Sequence, residues 1–173
     1  MIKNILLATD GSSQASHALD LAIDLAAKYG ASLMLVHVLT HDHPAAELQR
    51  MLKVEHLDDP IPAHKNLPGR TSTAIGLFLR GEIEDQELRV IAVLGEQIIR
   101  AATKKAKQKG IKNVKTYIQE GDYANCILKV ASKENTDLIV MGRRGLSQLK
   151  GFVTGSVSHK VSQRANCSVL TVM

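Results

Sequence analysis

A chain of 173 residues fits one domain and leaves little room for a second. Apolar residues at 45% and charged residues at 23% describe a globular, water-borne protein. No run reaches the roughly 18 apolar residues of a membrane span, and no signal-peptide pattern opens the chain. The net charge of +5 raises the question of nucleic acid. Much of the excess sits between Arg100 and Lys115, with Lys104, Lys105, Lys107, Lys109 and Lys112 between them. That stretch reads as a solvated helix end whose cations complement the C-terminal dipole. No aromatic residue interleaves with the lysines for bases to stack on, which argues against nucleic acid.

Aromatic residues make up only 3% of the chain and Trp is absent, so the core must be aliphatic. That palette suits a parallel sheet covered by helices on both faces. In chain order, Ile5–Thr9 reads as a first strand ending at Asp10-Gly11-Ser12-Ser13. A helix follows with Ala18, Leu19, Ala22, Ile23 and Ala26 on one face, Ser12 or Ser13 as its N-cap, and Gly30 near its end. Ser32–Leu39 is the second strand. Leu88, Ile91, Leu94, Ile98, Ala102 and Ala106 form one stripe of a long helix that stops at Gly110. Val114–Ile118 is a third strand, and Asp122 caps a helix bearing Ile127, Leu128 and Ala131. Leu138–Met141 is a fourth strand, Ser156–Arg164 a helix and Ser168–Val172 a fifth strand. The alternation β-α-β-α-β-α-β-α-β calls for a doubly wound, open parallel sheet.

The stretch from about 40 to 85 breaks this rhythm and reads as an insertion in a single 1–173 domain. It holds all four prolines (Pro44, Pro60, Pro62 and Pro68) and four of the seven histidines. Ala45–His56 is compatible with a short helix, Asp58–Arg70 reads as loop, and the apolar Ala74–Leu79 has the character of a docking segment. A lid over the ligand and an excursion with no task are both open readings of this insertion. Cys126 and Cys167 form no metal-type pair. They read as reduced, small core residues, which places the protein in the cytoplasm.

The informative segment is Met141-Gly142-Arg143-Arg144-Gly145, followed after nine residues by Gly155-Ser156-Val157-Ser158. Gly142 follows an apolar strand and Gly155-Ser156 opens a helix. Glycines there let main-chain N–H groups approach an anion, and the helix start adds unpaired N–H groups and the positive end of its dipole. Ser156 and Ser158 can add hydroxyl donors, and Arg143 a neutralising charge. A larger residue at Gly155 is expected to block the phosphates while leaving the fold largely intact. The alternative is that these glycines only make turns and that Ser156 is an N-cap. Neither Gly-x-x-x-x-Gly-Lys-Ser/Thr nor Gly-x-Gly-x-x-Gly occurs, so this is neither a Walker loop nor a dinucleotide fingerprint.

With this pattern the chain resembles the universal stress protein family, and specifically its ATP-binding branch. The pattern there is Gly, two residues, Gly, nine residues, then Gly-Ser or Gly-Thr, matched here by Gly142, Gly145, Gly155 and Ser156. Ile5-Leu6-Leu7-Ala8-Thr9-Asp10-Gly11-Ser12, Leu35-Val36-His37-Val38 and Val169-Leu170-Thr171-Val172 resemble the family's first, second and last strands. The resemblance implies a five-stranded Rossmann-like sheet of the adenine nucleotide alpha hydrolase-like type, in the order 3-2-1-4-5. Ala8, Thr9 and Asp10 would then lie beside the Gly142 loop. Asp10 would contact the adenosine part of ATP and Val38 would pack on adenine. Met141, Gly142, Gly145, Gly155, Ser156, Val157 and Ser158 would hold ribose and phosphates, with Mg²⁺ or Mn²⁺ bridging the phosphates. It also implies a homodimer formed through the C-terminal strand. The insertion departs from the family pattern.

Enzymatic turnover finds less support. The related ATP pyrophosphatases carry Ser-Gly-Gly-x-Asp-Ser after the first strand, where this chain has Thr9-Asp10-Gly11-Ser12-Ser13. The reading is therefore a regulatory, stress-response binding module with at most slow ATP hydrolysis. Two alternatives stand beside it. One is a nucleotide-independent dimeric interaction protein of the same fold. The other is metal binding through His41, His43, His56 and His64, although no Cys accompanies them and Pro44 interrupts the run.

Overall fold

The computed structural model describes residues 1–39, 70–71, 86–145 and 155–173. In chain order the elements are β1 (Asn4–Ala8), α1 (Ser13–Tyr29), β2 (Ser32–Leu39), β3 (Arg70–Thr71), α2 (Gln86–Gln108), β4 (Val114–Glu120), α3 (Tyr123–Lys133), β5 (Leu138–Gly142), α4 (Ser156–Arg164) and β6 (Ser168–Val172). All strand pairs are parallel and the sheet order is β3-β4-β2-β1-β5-β6. Leaving aside the two-residue β3, the five longer strands stand in the order third, second, first, fourth, fifth, as the resemblance implied.

Arg70–Thr71 departs from the loop expected over Asp58–Arg70, since Arg70 is in a strand. The pair adds to the outer edge of β4 opposite Tyr117 and Ile118. Two residues are too few for any periodicity to register, but an open strand edge has N–H and C=O groups to pair. The expected helix at 45–56, the segment at 74–79 and the four histidines of the insertion lie outside the described residues.

Strand alternation divides the core into two layers. Ile5, Leu7, Leu33, Leu35, Leu39, Leu138 and Val140 face α1 and α2. Leu6, Ala8, Met34, Val36, Val38, Ile139 and Met141 face the opposite side, where Ala124, Ile127, Val130, Ala131 and Val161 of α3 and α4 cover them. Ile5, Leu6 and Leu7 are fully buried, as a central strand covered on both faces requires. The helices therefore switch faces between β1 and β5.

Local chemistry sets the helix ends. Ser12 Oγ accepts the Ala15 N–H at 3.2 Å and caps α1. Gly30 closes the helix at φ +64°, where a Cβ would be strained. Asp122 Oδ1 accepts the Asn125 N–H at 2.9 Å and caps α3. In α2 the buried face contains Ile91, Leu94, Ile99, Ala102 and Ala106. Ile98, assigned to that stripe from sequence, is only half-buried, and its side chain lies against Gly11. Leu128 on α3 is likewise half-buried, and Val130 fills the core beside Ile127. Cys126 and Cys167 are free, half-buried thiols, and burial pushes both up from their ordinary pKa. Among the described residues, no helix is long and apolar enough to cross a membrane.

Candidate functional site

The reversal of winding leaves β1 and β5 side by side, with Ala8 in register with Met141. In open α/β sheets the crevice beyond the carboxyl ends of such a strand pair is where ligands enter. Three pieces of chain meet there. These are the turn after β1, the loop after β5 and the first turn of α4.

The turn after β1 is laced by its own side chains. Thr9 Oγ1 accepts the Gly11 N–H at 3.3 Å, and Asp10 Oδ1 accepts the Ser12 N–H at 3.0 Å. Gly11 takes φ +84°, the left-handed region in which glycine is at ease. The other Asp10 oxygen packs against Gly145, so close that a Cβ at Gly145 would collide with Oδ2. Asp10 and Gly145, 135 residues apart in sequence, are thus neighbours across the crevice.

The loop after β5 is held from outside. The Arg143 N–H donates to the Val172 carbonyl at 2.7 Å, and the Arg144 N–H donates to Gln14 Oε1 at 2.8 Å. The Arg143 carbonyl accepts from the Gly155 N–H at 2.9 Å and from the Ser158 hydroxyl at 2.7 Å. Ser158 is buried, and its hydroxyl also lies 3.0 Å from the Gly155 carbonyl. That hydroxyl braces the loop in this arrangement. Ser156 is exposed at the helix start, and Val157 packs against the core beneath it.

Gly155 is the N-cap of α4 and, having no side chain, makes no cap hydrogen bond of that kind to the first turn. Its φ of −68° is open to any residue, so conformation does not demand a glycine. Space does. A Cβ there would sit 2.9 Å from the Arg143 carbonyl oxygen and 3.4 Å from Arg144 Cα, both backbone atoms. A substitution at Gly155 therefore disturbs the loop itself, contrary to the expectation that the fold would be left largely intact. At Gly142 a Cβ would lie 2.9 Å from the Arg144 carbonyl.

Of the residues named from sequence, Thr9, Asp10, Arg143, Gly145, Gly155, Ser156, Val157 and Ser158 lie on these three pieces, and Ala8, Met141 and Gly142 at the carboxyl ends of β1 and β5 that lead into them. Val38 sits one strand away at the end of β2, buried on the same face of the sheet as Ala8 and Met141. Among the described residues, the side chain of half-buried Arg143 presents a buried Nε without a hydrogen-bond partner. Gln14 was missed, since nothing in the sequence signals that its carboxamide reaches across to Arg144. His37 appeared only as part of a strand. It is buried, and its Nδ1 lies 2.8 Å from the Thr9 carbonyl. Burial pulls its pKa below the ordinary histidine value, opposed by the Thr9 carbonyl and the Asp10 charge.

Fold and crevice together define a doubly wound α/β domain with three chain segments converging at its switch point. The model of the universal stress protein family matches residues 1–173. The chain belongs to the universal stress protein family. It is 34% identical over 173 residues to universal stress protein YxiE of Bacillus subtilis (strain 168), covering 99% of each chain. The fold is also similar to that of universal stress protein UspA from Lactobacillus plantarum, with a TM-score of 0.70 at 21% identity, covering 99% of this chain and 98% of that one. A universal stress protein from Archaeoglobus fulgidus in complex with dAMP has a TM-score of 0.59 at 18% identity, over 100% of both chains.

Proposed function

We propose that this universal stress protein binds an adenine nucleotide, ATP, at the β1–β5 switch point and acts as a regulatory module. The observation that carries the reading is a set of donors gathered at one place. The first turn of α4, whose N-cap Gly155 offers no capping side chain, begins beside Arg143, whose Nε is buried without a partner among the described residues. The Gly155 cradle that a Cβ would fill brings backbone against backbone there. Helix-start N–H groups and a guanidinium are the chemistry of phosphate recognition. Asp10, across the crevice, is suited to the hydroxyl groups of a ribose, and Val38 to the face of an adenine. The A. fulgidus relative in complex with dAMP supports the adenine part of the reading.

No group of three or more His, Cys, Asp or Glu converges on a metal-sized site among the described residues. Mg²⁺ or Mn²⁺ would be held by phosphate oxygens, with Asp10 a carboxylate at the crevice, and would neutralise their charge. The turn Thr9-Asp10-Gly11 spends one Asp10 oxygen on the Ser12 N–H. This favours binding with at most slow hydrolysis. We assign the protein to the cytoplasm and to a homodimer formed through β6. Among the described residues that strand pairs only with β5, which leaves Val169, Leu170 and Val172 half-buried at a sheet edge. A monomer mass by light scattering at micromolar concentration would refute the dimer.

A specific observation favours a second reading, a dimeric interaction protein of the same fold that takes no nucleotide. The N–H groups of Arg143 and Arg144 already serve Val172 and Gln14, which leaves the loop fewer donors for phosphate. Calorimetry with ATP and Mg²⁺ on folded, nucleotide-free protein separates the two. Saturable uptake is expected, together with release of an adenine compound when freshly purified protein is denatured. No uptake of ATP, ADP or AMP would leave the second reading in place.

A further inference from the structure

We propose that His37 is a positioning residue for this site: its Nδ1–H holds the Thr9 carbonyl and thereby fixes the turn from which Asp10 projects. The inference rests on the reading above, in which that turn faces the adenosine part of the nucleotide.

Position 37 shares a face of β2 with Leu33, Leu35 and Leu39, so alternation alone calls for another aliphatic side chain. A histidine stands there instead, 8% exposed. Burying an imidazole is costly unless its N–H is paired. Its partner is the Thr9 carbonyl, 2.8 Å from Nδ1. A carbonyl can only accept, so the proton of the neutral ring sits on Nδ1. The location of this bond matters. Register pairing of β1 with β2 ends at Ala8 opposite Val36, with one further bond from the Thr9 N–H to the Val36 carbonyl at 3.0 Å. Where the ladder gives out, a side chain takes over the next carbonyl.

The facing helix is shaped for the ring. A Cβ at Gly95 of α2 would lie 3.0 Å from His37 Cδ2 and 3.4 Å from Nε2, and would also run into the Leu39 side chain. Glycine in mid-helix costs stability relative to alanine, and here it leaves the space that the imidazole and Leu39 occupy. Contacts then run outward from the ring. Thr9 holds the Gly11 N–H, Asp10 holds the Ser12 N–H, and Asp10 Oδ2 packs on Gly145. The links from His37 as far as Ser12 are hydrogen bonds between named atoms, and the last step is the close fit of Asp10 Oδ2 against Gly145, which leaves no room for a Cβ.

The test compares His37→Leu with His37→Asn, whose carboxamide N–H can replace Nδ1–H. In ligand-free protein, ¹⁵N NMR of the parent should show the His37 ring neutral and protonated on Nδ1. The amide resonances of Asp10, Gly11 and Gly145 should move in His37→Leu and stay near their parent positions in His37→Asn. With ATP and Mg²⁺, His37→Leu should bind about tenfold more weakly, and His37→Asn within about threefold of the parent. An Nε2-protonated ring in the parent overturns the proposal whether or not either variant folds. So do unmoved Asp10 and Gly11 amides in His37→Leu, or an Asn variant as impaired as the Leu variant. If the parent takes up no nucleotide, the proposed function falls, while the ring spectrum and amide shifts still decide whether His37 holds the turn.

Discussion

The two loops that meet at the switch point are held in opposite ways. The turn after β1 is held chiefly by its own side chains, Thr9, Asp10 and Ser12, each bonded to an N–H two or three residues ahead, with one ring on the adjoining strand, His37, on the Thr9 carbonyl. The loop after β5 depends on distant parts of the chain: Val172 at the far edge of β6, Gln14 on α1, and Ser158 on α4. The first can take shape once β1 has found β2. The second exists only when sheet and helices are complete. A ligand site assembled from both therefore has one face set early and locally and another that reports the integrity of the whole fold. Substitutions in the two loops should differ accordingly.

The largest effect is expected at Gly155. Valine there would press its Cβ onto the Arg143 carbonyl, a backbone atom with little freedom to yield. Overpacking of this kind costs about 1–3 kcal/mol, readable as a lower urea midpoint. The same displacement turns the first-turn N–H groups of α4 from the phosphates. Losing two charge-assisted bonds of about 1.5–3 kcal/mol each weakens ATP binding on the order of a hundredfold or more. A variant that melts earlier yet binds ATP as the parent does would show that the phosphates lie elsewhere, and that Gly155 serves only the loop.

The turn after β1 should respond to pH through His37, whose ring lies on the Thr9 carbonyl. Its folded-state pKa is lowered, chiefly by burial, so the unfolded chain takes up the proton first. Stability from this group is therefore full above about pH 6.5 and declines as pH falls from there toward the folded value. One proton's worth of linkage is at most about 1.4 kcal/mol per pH unit. Urea midpoints between pH 7.5 and 5.5 should fall more steeply in the parent than in His37→Asn, which has no ring to titrate. Parallel slopes would mean that the imidazole is not buried neutral.

The sheet was legible because β1, β2 and β5 are largely aliphatic runs of the right length, set between helices with clear stripes. Asp10-Gly11-Ser12 declared a turn and a cap, and Gly30 a helix end, because each acts on neighbours within a few residues. The convergence of Ala8, Thr9 and Asp10 on the glycine loop followed from strand order, which the resemblance supplied and periodicity did not. Partners beyond the immediate neighbourhood, 15 residues away for Ser158 and Arg143 and 130 for Gln14 and Arg144, left no trace. Gln14 looks like any polar residue in a first helical turn, and Ser158 like a spare hydroxyl until the Arg143 carbonyl is found beside it. Ile98 and Ile99 exchanged places because adjacent isoleucines on a helix differ by about 100°, and only tertiary packing decides which faces inward.

The smallest and most direct comparison sets Ser12→Ala against Gln14→Leu, two changes at the start of one helix. Ser12→Ala removes a cap and should cost about 1 kcal/mol. Gln14→Leu removes the acceptor of the Arg144 N–H and should cost about 0.5–1.5 kcal/mol. Similar totals conceal different places. Hydrogen exchange should quicken at Ala15 and along the first turn of α1 in the serine variant, with Arg144 unaffected. In the glutamine variant it should quicken at Arg144, with Ala15 as slow as in the parent. Each amide reports a single acceptor, so the pattern separates local from long-range support even where melting curves cannot. If Arg144 exchanges as slowly without the carboxamide as with it, the glycine loop does not depend on α1, and the contrast between the two loops is lost.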